Sequence, residues 1–176
     1  PVDRRDTVFP RLVRDLGNAS WYQAARAITT TDTFAKGAYR RCRIGDTEIT
    51  IAGIAKGSGM IAPDMATMLA FVFTDARIPA AVLRSVHRAA VDRSFNCITV
   101  DSDTSTSDTA VLAATGQARN AEPESISDRA LRNFKQALLD FEGKLQVLTS
   151  PAEMLPLDII TSEDVQRLIA MARSHF

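Results

Sequence analysis

The stretch that most restricts this chain is a pair of apolar-rich segments, Ala38 to Ile44 and Thr47 to Ala55, with only Gly45-Asp46 between them. A two-residue loop with glycine first suits a type II′ turn, so the two segments form a β-hairpin. Ile49, Ile51 and then Ile54 run along its second strand. Lys56 to Asp64 is Gly-rich and forms a loop. Thr67 to Phe73 is a dense apolar run of strand character, closed by Thr74-Asp75. Ile98 to Val100 adds a short strand.

Helical periodicity surrounds these strands. Val8, Leu12, Val13 and Leu16 recur at helical spacing between Arg4 and Leu16, with Pro10 near the start, and Gly17-Asn18 stops the helix. Ser20 caps a second helix, Trp21 to Ile28, whose apolar face is Trp21, Ala24, Ala25 and Ile28. The short polar run Thr29 to Thr33 favours local hydrogen bonds over further helix. Pro79 opens a long helix that buries Ile78, Val82, Val86, Ala89 and Ala90 and turns Arg84, Arg88 and Arg93 to solvent. His87 on this helix is expected at a rim rather than in catalysis. Asp108 is positioned to cap a helix carrying Val111 and Leu112. Asp128 to Phe141 is a helix with Leu131, Phe134, Leu138 and Phe141 on one side, and Ser162 starts a last one. The pattern predicts an α/β or layered α+β fold, a single domain with a C-terminal appendage.

Composition excludes several functions. Lys+Arg and Asp+Glu are both 21, and no basic block appears, so neither nucleic acid nor an anionic membrane is an expected partner. The longest nearly apolar run, Met65 to Phe73, is far below the roughly 18 residues that a membrane span needs. No signal-peptide pattern is present. Cys42 and Cys97 lie far apart and fit reduced cytosolic thiols. With His87 and His175 as the two histidines, no Cys/His metal spacing results, and no metal or cofactor is expected. The chain begins at Pro1 rather than methionine, so an upstream segment is expected to be missing.

Gly57-x-Gly59-x-x-Ala62 matches a dinucleotide fingerprint loosely, but that motif opens a helix, whereas Pro63 and a strand-like run follow here. A Walker A loop is absent because Lys56 precedes the glycines. The glycines still suit close approach of backbone to an anion. The run Asp101 to Asp108 fails as an EF-hand, with Thr106 and Leu112 where glycine and glutamate belong.

Three motifs carry a resemblance. Ala24 to Thr33 reads A-A-R-A-I-T-T-T-D-T, Gly53 to Leu69 reads G-I-A-K-G-S-G-M-I-A-P-D-M-A-T-M-L, and Phe95 to Thr109 reads F-N-C-I-T-V-D-S-D-T-S-T-S-D-T. Together they resemble, in order, motifs of the ornithine acetyltransferase (bifunctional glutamate N-acetyltransferase) family of arginine biosynthesis. Thr29, Asp64, Ser102 and Ser107 depart from that family's commoner residues. The likeness runs from Pro1 to about Phe141.

The resemblance implies a Thr-nucleophile acetyltransferase-like core that cuts itself between Ala66 and Thr67. Thr67 then leads a new chain. Its free α-amine, with an ordinary pKa near 7.7–8.0, serves as base for its own hydroxyl. The hydroxyl carries acetyl from N-acetylornithine to glutamate, releasing ornithine. By the same matching Thr30 and Lys56 bind substrate, Lys56 as a point charge for a carboxylate. The implied enzyme is cytoplasmic, with the α and β pieces of one precursor joined in a hetero-tetramer or other oligomer.

The family's Thr-Gly oxyanion pair and its D-G-E-G-A-T-K segment are not matched. The expectation is therefore a central domain, 1–141, truncated at both ends, with a divergent tail at 142–176. Two alternatives follow: a catalytically inactive remnant acting as an oligomerising or binding module, and an acyltransferase or hydrolase with another acyl donor.

Overall fold

The computed structural model describes residues 5–15, 20–30, 32–57, 68–97 and 106–147. Ile98 to Val100, the Ala66-Thr67 pair expected to be cut and the helix expected from Ser162 lie outside them. Helices α1 (Arg5–Arg14) and α2 (Trp21–Ile28) precede strands β1 (Lys36–Ile44), β2 (Thr47–Lys56) and β3 (Leu69–Thr74). Helix α3 (Ala80–Val91), strand β4 (Thr109–Ala114) and helix α4 (Arg132–Val147) follow. The strands form one mixed sheet in the order β1-β2-β3-β4, antiparallel except for the parallel pair β3–β4. The fold is α/β.

Local chemistry explains most boundaries. Ser20 and Gln23 make a reciprocal capping box at the start of α2, with both hydrogen bonds at 3.1 Å. Gly45 adopts φ +57°, as the tight β1–β2 turn needs, and the register pairs Ile44 with Thr47 and Lys36 with Ala55. Asp128 accepts the Ala130 N–H at 2.9 Å and starts the short turn that leads into α4.

The pleat sorts the sheet into two faces. Ala38, Ile49, Ile51, Ala55, Ala70 and Val72 join the main core with Val82, Val86 and Ala90 of α3 and Phe134, Leu138 and Phe141 of α4. Leu131, Phe134, Leu138 and Phe141 are almost completely buried, as their helical spacing predicts. Each stabilises the fold by roughly 1.5–3 kcal/mol. Helix α2 covers the opposite face, where Trp21 meets Phe73 edge-on with centroids 5.5 Å apart.

Four local expectations change. Residues 109–114 are strand, not helix: Asp108 accepts the N–H of Met68 at 2.8 Å instead of capping its own segment, and Thr109 to Ala114 pair in parallel with β3. Pro10 lies inside α1. Ala89 is exposed because the stripe narrows to Val82, Val86 and Ala90. His87 is not a rim residue, since its Nδ1 lies 3.3 Å from Oε1 of the fully buried Glu142 and its Nε2 lies 3.3 Å from the Ala110 carbonyl. Ser94 Oγ approaches the other Glu142 oxygen at 2.8 Å. Helix α4 thus holds a carboxylate against α3. Burial alone would push the His87 imidazole down, but the Glu142 carboxylate and the Ala110 carbonyl outweigh it and hold its pKa above 6.5.

Two predictions test this packing. A Cβ on Gly53 would come within 2.5 Å of the Phe71 carbonyl oxygen and 3.2 Å of Phe141 Cζ, and neither the backbone nor the packed ring can yield easily. Gly53→Ala should therefore destabilise the fold by about 1–3 kcal/mol in urea denaturation. The second concerns pH. A raised histidine pKa contributes stability that is complete below its unfolded value of about 6.5 and is lost as pH rises through the folded value. The melting temperature of the native chain should fall more steeply than that of His87→Gln between about pH 6 and pH 9. Parallel curves would refute the pairing.

Candidate functional site

The site forms where the end of α2, the start of β1 and the end of β2 meet. The loop after α2 carries Thr30 and Asp32, β1 opens with Lys36, and β2 closes with Lys56 before Gly57. Lys36 is 3% exposed, and the Asp32 side chain is completely enclosed.

Asp32 organises the cluster. Its Oδ1 accepts from the Lys36 ammonium and, at 2.8 Å, from the Gly57 N–H, while Oδ2 accepts the Thr30 N–H at 3.4 Å. Lys36 Nζ also donates to the Gly57 carbonyl at 2.7 Å and lies 5.2 Å from the centre of the Phe34 ring. Both backbone groups of Gly57 are therefore held. Burial alone would raise the Asp32 pKa, but the hydrogen bonds from Lys36 and Gly57 and the Lys36 charge hold it below the ordinary carboxylate value. Asp32 is an anion whose charge is already matched.

Lys56 is different. It is 6% exposed, and its ammonium lies 3.5 Å from Thr30 Oγ1. Among the described residues, no carboxylate pairs with it. A buried cation with a hydroxyl beside it and no counter-ion among the described residues is a ready place for an anionic group. The structure thus brings together Thr30 and Lys56, two of the residues singled out in the sequence. The other two, Ala66 and Thr67, lie outside the described residues. Asp32 and Lys36 were missed as site residues, although Asp32 sits inside a quoted motif; the available signal was that a lysine beside an apolar strand needs a partner once buried.

Other reactive groups stand apart. Burial, with a smaller contribution from Asp75, pushes the Cys42 thiol up to about 12, so it stays protonated. Cys42 and Cys97 are both free thiols. Among the described residues, no cluster of three His, Cys, Asp or Glu could hold a metal ion, and no helix is long and apolar enough to cross a membrane.

Comparison with known proteins identifies the family. The ArgJ family model matches residues 1–149. An arginine biosynthesis bifunctional protein ArgJ from Ruegeria pomeroyi is 67% identical over 126 residues, covering 68% of this chain and 31% of that protein. The protein of the same name from Gluconobacter oxydans is 53% identical over 148 residues, covering 84% of this chain and 35% of its own length. That from Methylococcus capsulatus is 43% identical over 186 aligned positions, covering 99% of this chain and 44% of its own. The chain spans less than half the length of these relatives, but the family match covers most of it: this chain belongs to the ArgJ family.

Proposed function

We propose that this chain is the part of an arginine-biosynthesis acetyltransferase that contains the nucleophile, Thr67, and a carboxylate anchor, Lys56. The observation that carries the proposal is the buried Lys56 ammonium beside Thr30 with no carboxylate partner among the described residues. N-acetylornithine and glutamate both present carboxylates that could supply the missing charge.

The chemistry begins with cleavage. The Thr67 hydroxyl attacks the Ala66 carbonyl carbon, the peptide C–N bond breaks, and the acyl group moves to oxygen as an ester. Water hydrolyses the ester, leaving the Ala66 carboxylate and a free Thr67 α-amine. That amine takes the hydroxyl proton as the oxygen attacks the acetyl group of N-acetylornithine. Ornithine leaves with the returned proton, and the amine of glutamate then takes acetyl from the acyl-threonine. Thr30 and Lys56 hold substrate, and no cofactor or metal is required. Residues 1–141 form the catalytic portion and 142–176 a divergent tail. The two pieces stay together in a hetero-tetramer or other oligomer in the cytoplasm.

A second reading, a non-catalytic binding module, draws on α1, where Val8, Phe9, Leu12 and Val13 are 41–60% exposed. It predicts self-association without turnover.

Intact mass and an acetyl-transfer assay separate the two. The 176-residue chain should give pieces of 66 and 110 residues, and Thr67→Ala should stay whole and transfer no acetyl group. Lys56→Met should lower kcat/KM by about 10–100-fold while leaving cleavage in place. A chain that stays whole and inactive would refute the acetyltransferase and favour the binding module.

A further inference from the structure

His87, Ser94 and Glu142 form a buried cluster that the chemistry proposed above does not use. Glu142 of α4 is completely enclosed. Its Oε1 lies 3.3 Å from Nδ1 of His87 on α3, and its Oε2 lies 2.8 Å from Ser94 Oγ in the turn after that helix. Neither His87 Nδ1 nor Glu142 Oε1 has another partner among the described residues. On the far side of the ring, Nε2 lies 3.3 Å from the Ala110 carbonyl of β4. One imidazole therefore joins α3 both to α4 and to the sheet.

The Ala110 carbonyl lies on the outer edge of that sheet. The Thr109 N–H donates to the Met68 carbonyl and the Thr115 N–H to the Thr74 carbonyl, so the odd-numbered residues of β4 face β3. Ala110 points its backbone groups the other way, where the strand order ends. The edge formed by β1 carries Arg40, Arg41 and Arg43, whereas β4 carries no charged residue. Charge on an edge strand resists stray pairing, and an uncharged edge needs cover. His87 supplies that cover at Ala110.

Protons decide whether the ring holds both sides. Each ring nitrogen faces an oxygen acceptor, and only the doubly protonated ring donates to both. Ser94 cannot replace a lost donor, because its single hydroxyl proton already lies between Glu142 and the Ala90 carbonyl, each 2.8 Å away. Once the ring gives a proton to solvent, the remaining N–H stays with the carboxylate, the stronger acceptor. Nε2 then turns a lone pair on the Ala110 carbonyl. Among the described residues Glu142 is the charged group that meets the ring. Elsewhere on α4, Asp140 pairs with Arg40 and Lys135 donates to the Ile126 carbonyl, while Arg132 and, on α3 itself, Arg84 and Arg88 are exposed.

We propose that His87 is a pH-sensitive latch on β4: doubly protonated, it fastens the outer edge of the strand at Ala110, and on losing the Nε2 proton it releases that edge while keeping hold of α4. Glu142 and the Ala110 carbonyl hold the ring's pKa above 6.5, so the latch is closed below that value and opens as pH rises through the raised one.

The test measures hydrogen exchange of the full chain between about pH 6 and pH 9, corrected for the intrinsic rate, in peptides spanning 109–114 and the hairpin 36–56. Residues 109–114 should be less protected than the hairpin, because they open locally, and their protection should fall about 3–10-fold across that range. In His87→Gln, whose amide does not titrate, the fall should vanish. Nitrogen NMR of the ring, assigned by its loss in His87→Gln, should show Nδ1 keeping the proton at high pH. Glu142→Gln keeps the shape without the charge and should move the ring's titration to lower pH; should it fail to fold, the native chain and His87→Gln decide alone. The proposal is overturned if 109–114 open only together with the hairpin, if their protection is flat with pH, or if His87→Gln loses protection as the native chain does. It is also overturned if Nε2 keeps the proton, or if the titration is unmoved in a folded Glu142→Gln.

Discussion

The carboxylate of Asp32, sealed beneath Lys36 and the Gly57 amide, ties the fold to the site. Three segments meet there: the turn after α2, the first residue of β1 and Gly57, the residue that follows β2. Taking an anion out of water costs several kcal/mol unless charge and hydrogen bonds replace its hydration. Asp32 receives both, and its lowered pKa follows. The pair is best understood as a source of specificity: removing either partner strands the other as a buried charge, so the three segments can meet in only one way.

The apolar side of the sheet supplies rigidity to that junction. Gly53 lets Phe141 close over the middle of β2, and the absence of a side chain there is what allows α4 to pack so near. Phe134 and Leu138 continue the contact along the hairpin. On the opposite face α2 rests on Trp21 and ends at Thr29, which delivers Thr30 to Lys56. The position of the cluster is therefore set by two helices that contribute little chemistry of their own.

Much of the fold was legible where a local rule and the burial pattern agree. The Gly45-Asp46 turn fixed the hairpin, Ser20 fixed the start of α2, and the spacing of Leu131, Phe134, Leu138 and Phe141 fixed the buried side of α4. Two of the failures share a cause, since each depended on a partner far away in the chain. Thr109 to Ala114 has no strong preference of its own, and its pairing with β3 decided for strand. His87 lacked any signal of burial because Glu142 is distant in sequence. The site divides in the same way. Motif likeness marked Thr30 and Lys56, but Lys36 is placed by its contacts with Asp32 and Gly57, which no periodicity encodes.

Lys36 and Lys56 contrast as a buried charge matched by a carboxylate and one with no carboxylate partner among the described residues. Both ammoniums are buried at the same end of the hairpin. Lys36 meets an anion, a carbonyl and an aromatic face, so nothing is gained there by a ligand. Lys56 meets one hydroxyl at the outer limit of a hydrogen bond. Burying a cation without a counter-ion is a standing cost, and among the described residues no carboxylate offsets that of Lys56. Under the function proposed above, the counter-ion arrives with the substrate, and binding offsets that cost. On that function, affinity for a carboxylate draws on the desolvation cost that the ammonium already carries, and Lys56→Met would ease the fold while weakening substrate binding.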